Sequence, residues 1–295
     1  MSKIARATRR LAISFAVLSS AIVSMGPGHA SVACPKPLSA GIPERISNAL
    51  AGSELMSQLR KVGGTNRDAV VVGQVLAGNV PDFLRELAPV NFRGTDTNGT
   101  TVEVTLCVTP EYLAVGDDRD FVRVPLGLAA AARIANETGF LLPTPKIVDE
   151  IYRQASVRLA PRPMKPTSQM VSTAYFVEHD RTVDAQRAQA GRRLTELAAG
   201  QKKDVVLTNR LLRKPGRVAI YGWHQPNGKP IQPLSTVHGA GYADYSHGVR
   251  LVSRTAFVNG KPRDLAEIIG DRNLAPLVSS EGPILDSERL LAAQY

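Results

Sequence analysis

Three of the chain's five histidines, His224, His238 and His247, fall within 24 consecutive residues. Tyr221, Trp223 (the single tryptophan), Tyr242 and Tyr245 stand among them, and Asp244 and Ser246 complete the run. Groups of these types, so closely spaced, can do three kinds of chemistry. Histidine and aspartate ligate zinc, whose charge brings the pKa of a bound water down to about 7 and supplies hydroxide. On that reading His238, Asp244 and His247 are the metal ligands, and His224 is the general base or the donor to the transition state. In a metal-free alternative Ser246 attacks, a histidine takes its proton and Asp244 orients the ring. His247 adjoins Ser246, and adjacent strand residues point to opposite faces, so that base must be His224 or His238. No G-x-S-x-G turn surrounds the serine. The third possibility is binding without catalysis, with Tyr221, Trp223, Tyr242 and Tyr245 as a stacking wall for sugars or a peptide.

These side chains need a scaffold that brings separate stretches to one rim. Arg217 to Tyr221 alternates as a strand, Pro226-Asn227-Gly228 is a turn, and Ile231 begins the return. His247 to Val258 reads as one long strand, and Asp204 to Thr208 as another. If the strands of Ile220 and Val249 are neighbours, the imidazoles and one carboxylate meet. Upstream, Thr101 to Val108 alternates and is β-branched, while Tyr112 to Val115 and Phe121 to Val124 form a hairpin-like pair. Helices are predicted over Ile46 to Leu59, Asp68 to Leu76, Leu128 to Glu137, and onward from Thr144-Pro145, an N-cap followed by a first-turn proline. Ser168 to Ala199 is helical by composition apart from Gly191. The expected fold is α+β, a helical N-terminal half packed on a mainly antiparallel sheet formed largely by the C-terminal half. His179 and the pairs Arg192-Arg193 and Lys202-Lys203 are expected on solvated surface.

The segment Ser235-Thr236-Val237-His238-Gly239-Ala240-Gly241-Tyr242-Ala243-Asp244 resembles S-x-H-x-x-G-x-A-x-D, a zinc-site motif of D-alanyl-D-alanine metallopeptidases. One extra residue separates Ser235 from His238, one is missing before Asp244, and no histidine follows His247 to supply the family's later Glu-x-x-His element. The resemblance implies peptidoglycan peptide bonds as the substrate, and nothing more is carried over from it. More broadly, the chain resembles a secreted bacterial protein family.

The N-terminus supports export. Lys3, Arg6, Arg9 and Arg10 precede an apolar run from Leu11 to Met25, and Pro27 to Ala30 close it with small residues, so residues 1–30 read as a signal peptide. At 1.5 Å per residue that run reaches about 22 Å as a helix, short of a roughly 30 Å hydrocarbon core. Residues 31–295 are then expected to form a single mature domain, with a candidate internal boundary in the proline-rich stretch 161–167. Taking four basic residues and no acidic one from the formal +10 leaves +6. That charge is spread along the chain rather than gathered on one element, which argues against nucleic acid and for anionic envelope polymers or small substrates. No further segment is apolar enough to span a membrane. Cys34 and Cys107, the only cysteines, are expected to pair in an oxidising periplasmic or extracellular compartment.

Overall fold

The β-branched stretch Thr101–Val108 is a strand in the computed structural model, which describes Cys34 and residues 41–292. Val102, Val104, Leu106 and Val108 are buried, as period-two alternation against a core requires. Ala88–Thr95 pairs with it antiparallel over its full length. Val252–Ser253 and Thr255–Val258 pair with it on the other side, and Phe140–Leu141 and Lys261–Asp264 complete a six-stranded sheet. A second sheet runs in the order Pro230–Ser235, Ile220–His224, Lys203–Val205, His247–Gly248. Its last pair is parallel. Ala114–Gly116 pairs with Phe121–Arg123, and Val157–Arg158 with Ala198–Ala199.

The fold is therefore α+β with mainly antiparallel sheets, but the expected division into halves is not what forms. Two of the longest described strands, Ala88–Thr95 and Thr101–Val108, come from the first half, and the 18-residue helix Thr173–Ala190 comes from the second. The cause lies in the pairing, since C-terminal strands add to the edge of an N-terminal one. That pairing also divides the expected strand from His247 to Val258. Its first piece joins the four-stranded sheet, and the pieces after Leu251 join the six-stranded one.

Local signals explain the helix limits. Leu128–Glu137 is helical, and Gly139 follows it in a left-handed conformation. Thr144 accepts from the Ile147 amide at 3.2 Å and Pro145 opens the helix Pro145–Gln154, as the sequence indicates. The helix expected from Ile46 is confined to Gly52–Gln58, because the Arg45 guanidinium takes the Ala49 and Leu50 carbonyls. Thr173–Ala190 starts with Ser172 as its cap and stops at Gly191, so the stretch beyond it is not helical as expected.

The interior also contains charge. Fully buried Arg123 reaches Glu111 at 3.4 Å, Asp180 at 2.8 Å and Asp184 at 2.7 Å, and Arg187 lies 3.5 Å from Glu111. Burial pushes the Glu111 carboxyl up, but Arg123, Arg187 and Arg250 outweigh it and hold the group below its ordinary range. Removing one member of such a network leaves a buried charge unpaired and costs about 3–5 kcal/mol. Cys34 and Cys107 form a disulfide across 73 residues, consistent with an oxidising extracytoplasmic compartment. No helix among the described residues is long and apolar enough to cross a membrane. The expected signal peptide lies outside the described residues.

Candidate functional site

A kink in one strand decides what the histidine-rich segment can do. In a regular strand Tyr221 and His224, three positions apart, would point to opposite faces. Here Gly222 and Trp223 both have positive φ, 107° and 58°, and the strand turns between them. Glycine suits position 222 because L side chains rarely adopt that φ, and a Cβ there would also sit tightly against Val148. The result is that Tyr221 and His224 both reach Asp149 on the helix Pro145–Gln154, while Trp223 leaves on the other side towards Tyr245 and Lys203.

On the helix-packed face the polar groups are paired. His224 Nε2 lies 2.8 Å from Asp149 Oδ1, and the Tyr221 hydroxyl donates to the same carboxylate at 2.9 Å. Tyr152 stacks on the His224 ring with centroids 4.6 Å apart. Asp204, buried on this face, accepts from the Tyr112 hydroxyl at 2.9 Å. Burial raises its carboxyl to about 6 against the lowering effect of Arg250.

The opposite face is different. His247 is the register partner of Lys203 across the parallel pair, and the Lys203 ammonium lies 5.0 Å over the Trp223 ring. His247 is fully buried, yet neither ring nitrogen has a hydrogen-bond partner, and Trp223 Nε1 has none either. Burial drives the His247 imidazole down to about 4, against the raising effect of Asp244. Burial raises the Asp244 carboxyl, but His247, Lys203 and the Ser246 bonds overcome this and leave it below the ordinary range. Near neutral pH the pair is thus a neutral imidazole beside an ionised carboxylate. Tyr242 packs against both His238 (centroids 4.0 Å, stacked) and His247 (5.7 Å, edge-on), and its hydroxyl donates to Asp244 Oδ2 at 3.3 Å. Burial followed by the Asp244 charge pushes that phenol up to about 12. His238 and Tyr242 are half-exposed and form the outer edge of the group.

The expected meeting of three imidazoles does not occur. The Lys203–Val205 strand lies between those of Ile220 and His247, and the kink sends His224 to the far face. His238, Asp244 and His247 do gather around Tyr242, but both Asp244 oxygens are occupied, Oδ1 by Ser246 and Oδ2 by Tyr242. Among the described residues no group of three or more His, Cys, Asp or Glu can hold a metal ion. Ser246 donates its hydroxyl to Asp244 at 2.5 Å and is fully buried, so the carboxylate engages the serine directly rather than a histidine base. Tyr245 is not part of an open wall either. Its hydroxyl accepts from the Met164 amide at 2.8 Å, and its ring packs with Phe176 and Trp223 beneath Met164, Met170 and Tyr175. Tyr221 remains half-buried, on the far face from Tyr242.

Two residues assigned to the surface prove to be interior. His179 and Lys202 are fully buried, with Lys202 Nζ 3.0 Å from His179 Nδ1 and donating to the Tyr245 carbonyl at 2.7 Å. Burial lowers Lys202 to about 8, with Asp180 opposing, and lowers His179 to about 2, with Lys202 adding to the effect. Arg192 and Arg193 are exposed, as expected.

Comparison with known proteins adds no identity: no family model, no curated protein and no solved structure matches this chain.

Proposed function

We propose that this chain is an extracytoplasmic hydrolase of cell-envelope material that works by metal-independent acid–base catalysis, with His247 as proton acceptor and Asp244 as its stabilising anion. The observation that carries this reading is a buried neutral imidazole with both nitrogens unpartnered beside an ionised carboxylate. An unsatisfied buried polar group costs about 1–3 kcal/mol and needs a reason to persist. A base that must take and return a proton supplies one. His247 takes a proton from water, the resulting hydroxide adds to the scissile carbonyl, and Lys203 faces the developing oxyanion. The oxyanion then collapses back to a carbonyl with cleavage of the scissile C–N bond, and the imidazolium, stabilised by Asp244, returns its proton to the leaving nitrogen. Substrate approaches past the half-exposed His238 and Tyr242. The export signal, the disulfide and the positive charge of the mature chain favour envelope peptidoglycan as the material cut.

The test is digestion of purified peptidoglycan by the mature chain in the presence of a chelator, with product analysis by mass spectrometry. Cleavage that persists with chelator and disappears in His247→Gln supports the reading. Chelator-sensitive cleavage, or cleavage that survives His247→Gln, overturns it. A binding protein without catalysis is the second reading, favoured by the flat, half-exposed stack of His238 on Tyr242. Sedimentation with peptidoglycan that depends on Tyr242 while no bond is cut would select it.

A further inference from the structure

The helix Thr173–Ala190 also lines a groove whose lining residues include neither His247 nor Asp244. Two cavities of about 500 and 450 Å³ share Asp120, Phe121 and Asp184 and so join around the half-buried Phe121 ring. From Thr173 to Ala188 the helix advances about 22 Å, which makes the space elongated. Its acidic groups are already engaged. Asp120 accepts from the Ser53 amide and hydroxyl at 2.8 and 2.5 Å, while Asp180 and Asp184 accept from Arg123. Asp120 has no cation partner among the described residues, but the five lining arginines, Arg60, Arg119, Arg181, Arg187 and Arg192, outnumber these three carboxylates. Arg60 and Arg181 are exposed and have no ion-pair or hydrogen-bond partner among the described residues, and Arg192 is 3.8 Å from Glu196 at the far end.

We propose that this groove binds an acidic glycan, an extended carbohydrate carrying repeated carboxylates. Guanidinium forks match carboxylates in paired, planar geometry, and their distribution along the groove suits repeated charges better than a single small anion. The exposed Ser57 hydroxyl and the Phe121 ring offer the polar and apolar contacts a sugar needs. A peptide would seek a free strand edge, but the Arg123 amide is taken by Asp180 at 3.1 Å, so the strand beside the groove does not offer one there. The inference goes beyond the hydrolase reading and stands or falls separately from it.

The experiment is calorimetric titration of the mature chain with hexagalacturonate, a neutral chitin hexamer and a hexaglutamate peptide. Binding of hexagalacturonate is expected, weakened at least tenfold in Arg60→Gln/Arg181→Gln and weakened by salt between 0.05 and 0.5 M. His247→Gln should leave that affinity unchanged, which separates the groove from the proposed reaction. Both arginines are exposed and unpaired, so the melting temperature of the double variant should match the parent, and Arg60→Gln alone provides the reading if it does not. Equal affinity in the arginine variants, equal binding of the neutral hexamer, tighter binding of the peptide, or no binding of hexagalacturonate overturns the proposal.

Discussion

The two faces of the four-stranded sheet carry the same kinds of side chain in different states of satisfaction. Towards the helix Pro145–Gln154, His224 and Tyr221 both bond Asp149 and Tyr112 bonds Asp204. Towards Trp223, His247 is buried deeper than His224 and its ring nitrogens have no hydrogen-bond partner. The first arrangement recovers the cost of burying polar groups and is sufficiently explained by stability. The second leaves that cost standing, and the proposed reaction at His247 rests on that difference. A histidine's neighbours, rather than its presence in a dense segment, separate the two cases.

The largest effect that can break this comparison is on rate. His247→Gln should lower peptidoglycan cleavage by about 10²- to 10⁴-fold while the protein stays folded. His224→Gln should instead lower unfolding free energy by about 1–3 kcal/mol with cleavage retained in the folded fraction. If the two variants exchange these outcomes, the assignment of the faces is wrong. Asp244→Asn should come next, with a loss on the order of 10²-fold, because the imidazolium would lack its anion; circular dichroism would show whether the Ser246 turn survives.

The faces should also respond to pH with opposite sign. Asp204 is raised to about 6 by burial, so the native state binds its proton more tightly than the unfolded chain does. Its contribution to stability is therefore lost as pH rises from about 4 to about 6. His247 is depressed to about 4, so the unfolded chain is the better proton binder, and stability is gained from about pH 4 to about 6.5 and is level above. Each contribution is on the order of 3 kcal/mol. Urea unfolding at pH 4, 5 and 6.5 should show a steeper rise for Asp204→Asn and a shallower one for His247→Gln. Identical slopes for both variants would remove the electrostatic side of the contrast. The smallest expected change is in Tyr242→Phe, which loses one donor to Asp244 and should reduce cleavage only a few-fold, measured in the same digestion assay.

Much of the local structure was legible in the sequence because local forces determine it. The alternation of Thr101 to Val108, the helix stopping before Gly139 and the Thr144-Pro145 start each carry their own signal. Ala88–Thr95 was missed because Pro89 and Gly94 break the strand pattern, and it is held by pairing to a neighbour instead. The clustering of His238, Tyr242, Asp244 and His247 was visible, since a short loop keeps them together. The departure of His224 was not. It depends on two consecutive left-handed residues and on Asp149, 75 positions away. Nor could burial of His179 and Lys202 be foreseen, because the Lys202 charge is tolerated only through partners from distant elements, the neutral His179 ring and the Tyr245 carbonyl among them. A double lysine before a strand carries no mark that says which of the two will be enclosed.

Trp223 gives the unpaired face its own optical reporter. As the chain's one indole, it accounts for all tryptophan emission. It is screened from solvent and lies under the Lys203 ammonium. Any molecule that draws that ammonium away, or admits solvent beside the ring, changes the emission without a label being attached. The residue that the kink turns outward from His224 thus allows occupancy near His247 to be followed by light in the native chain.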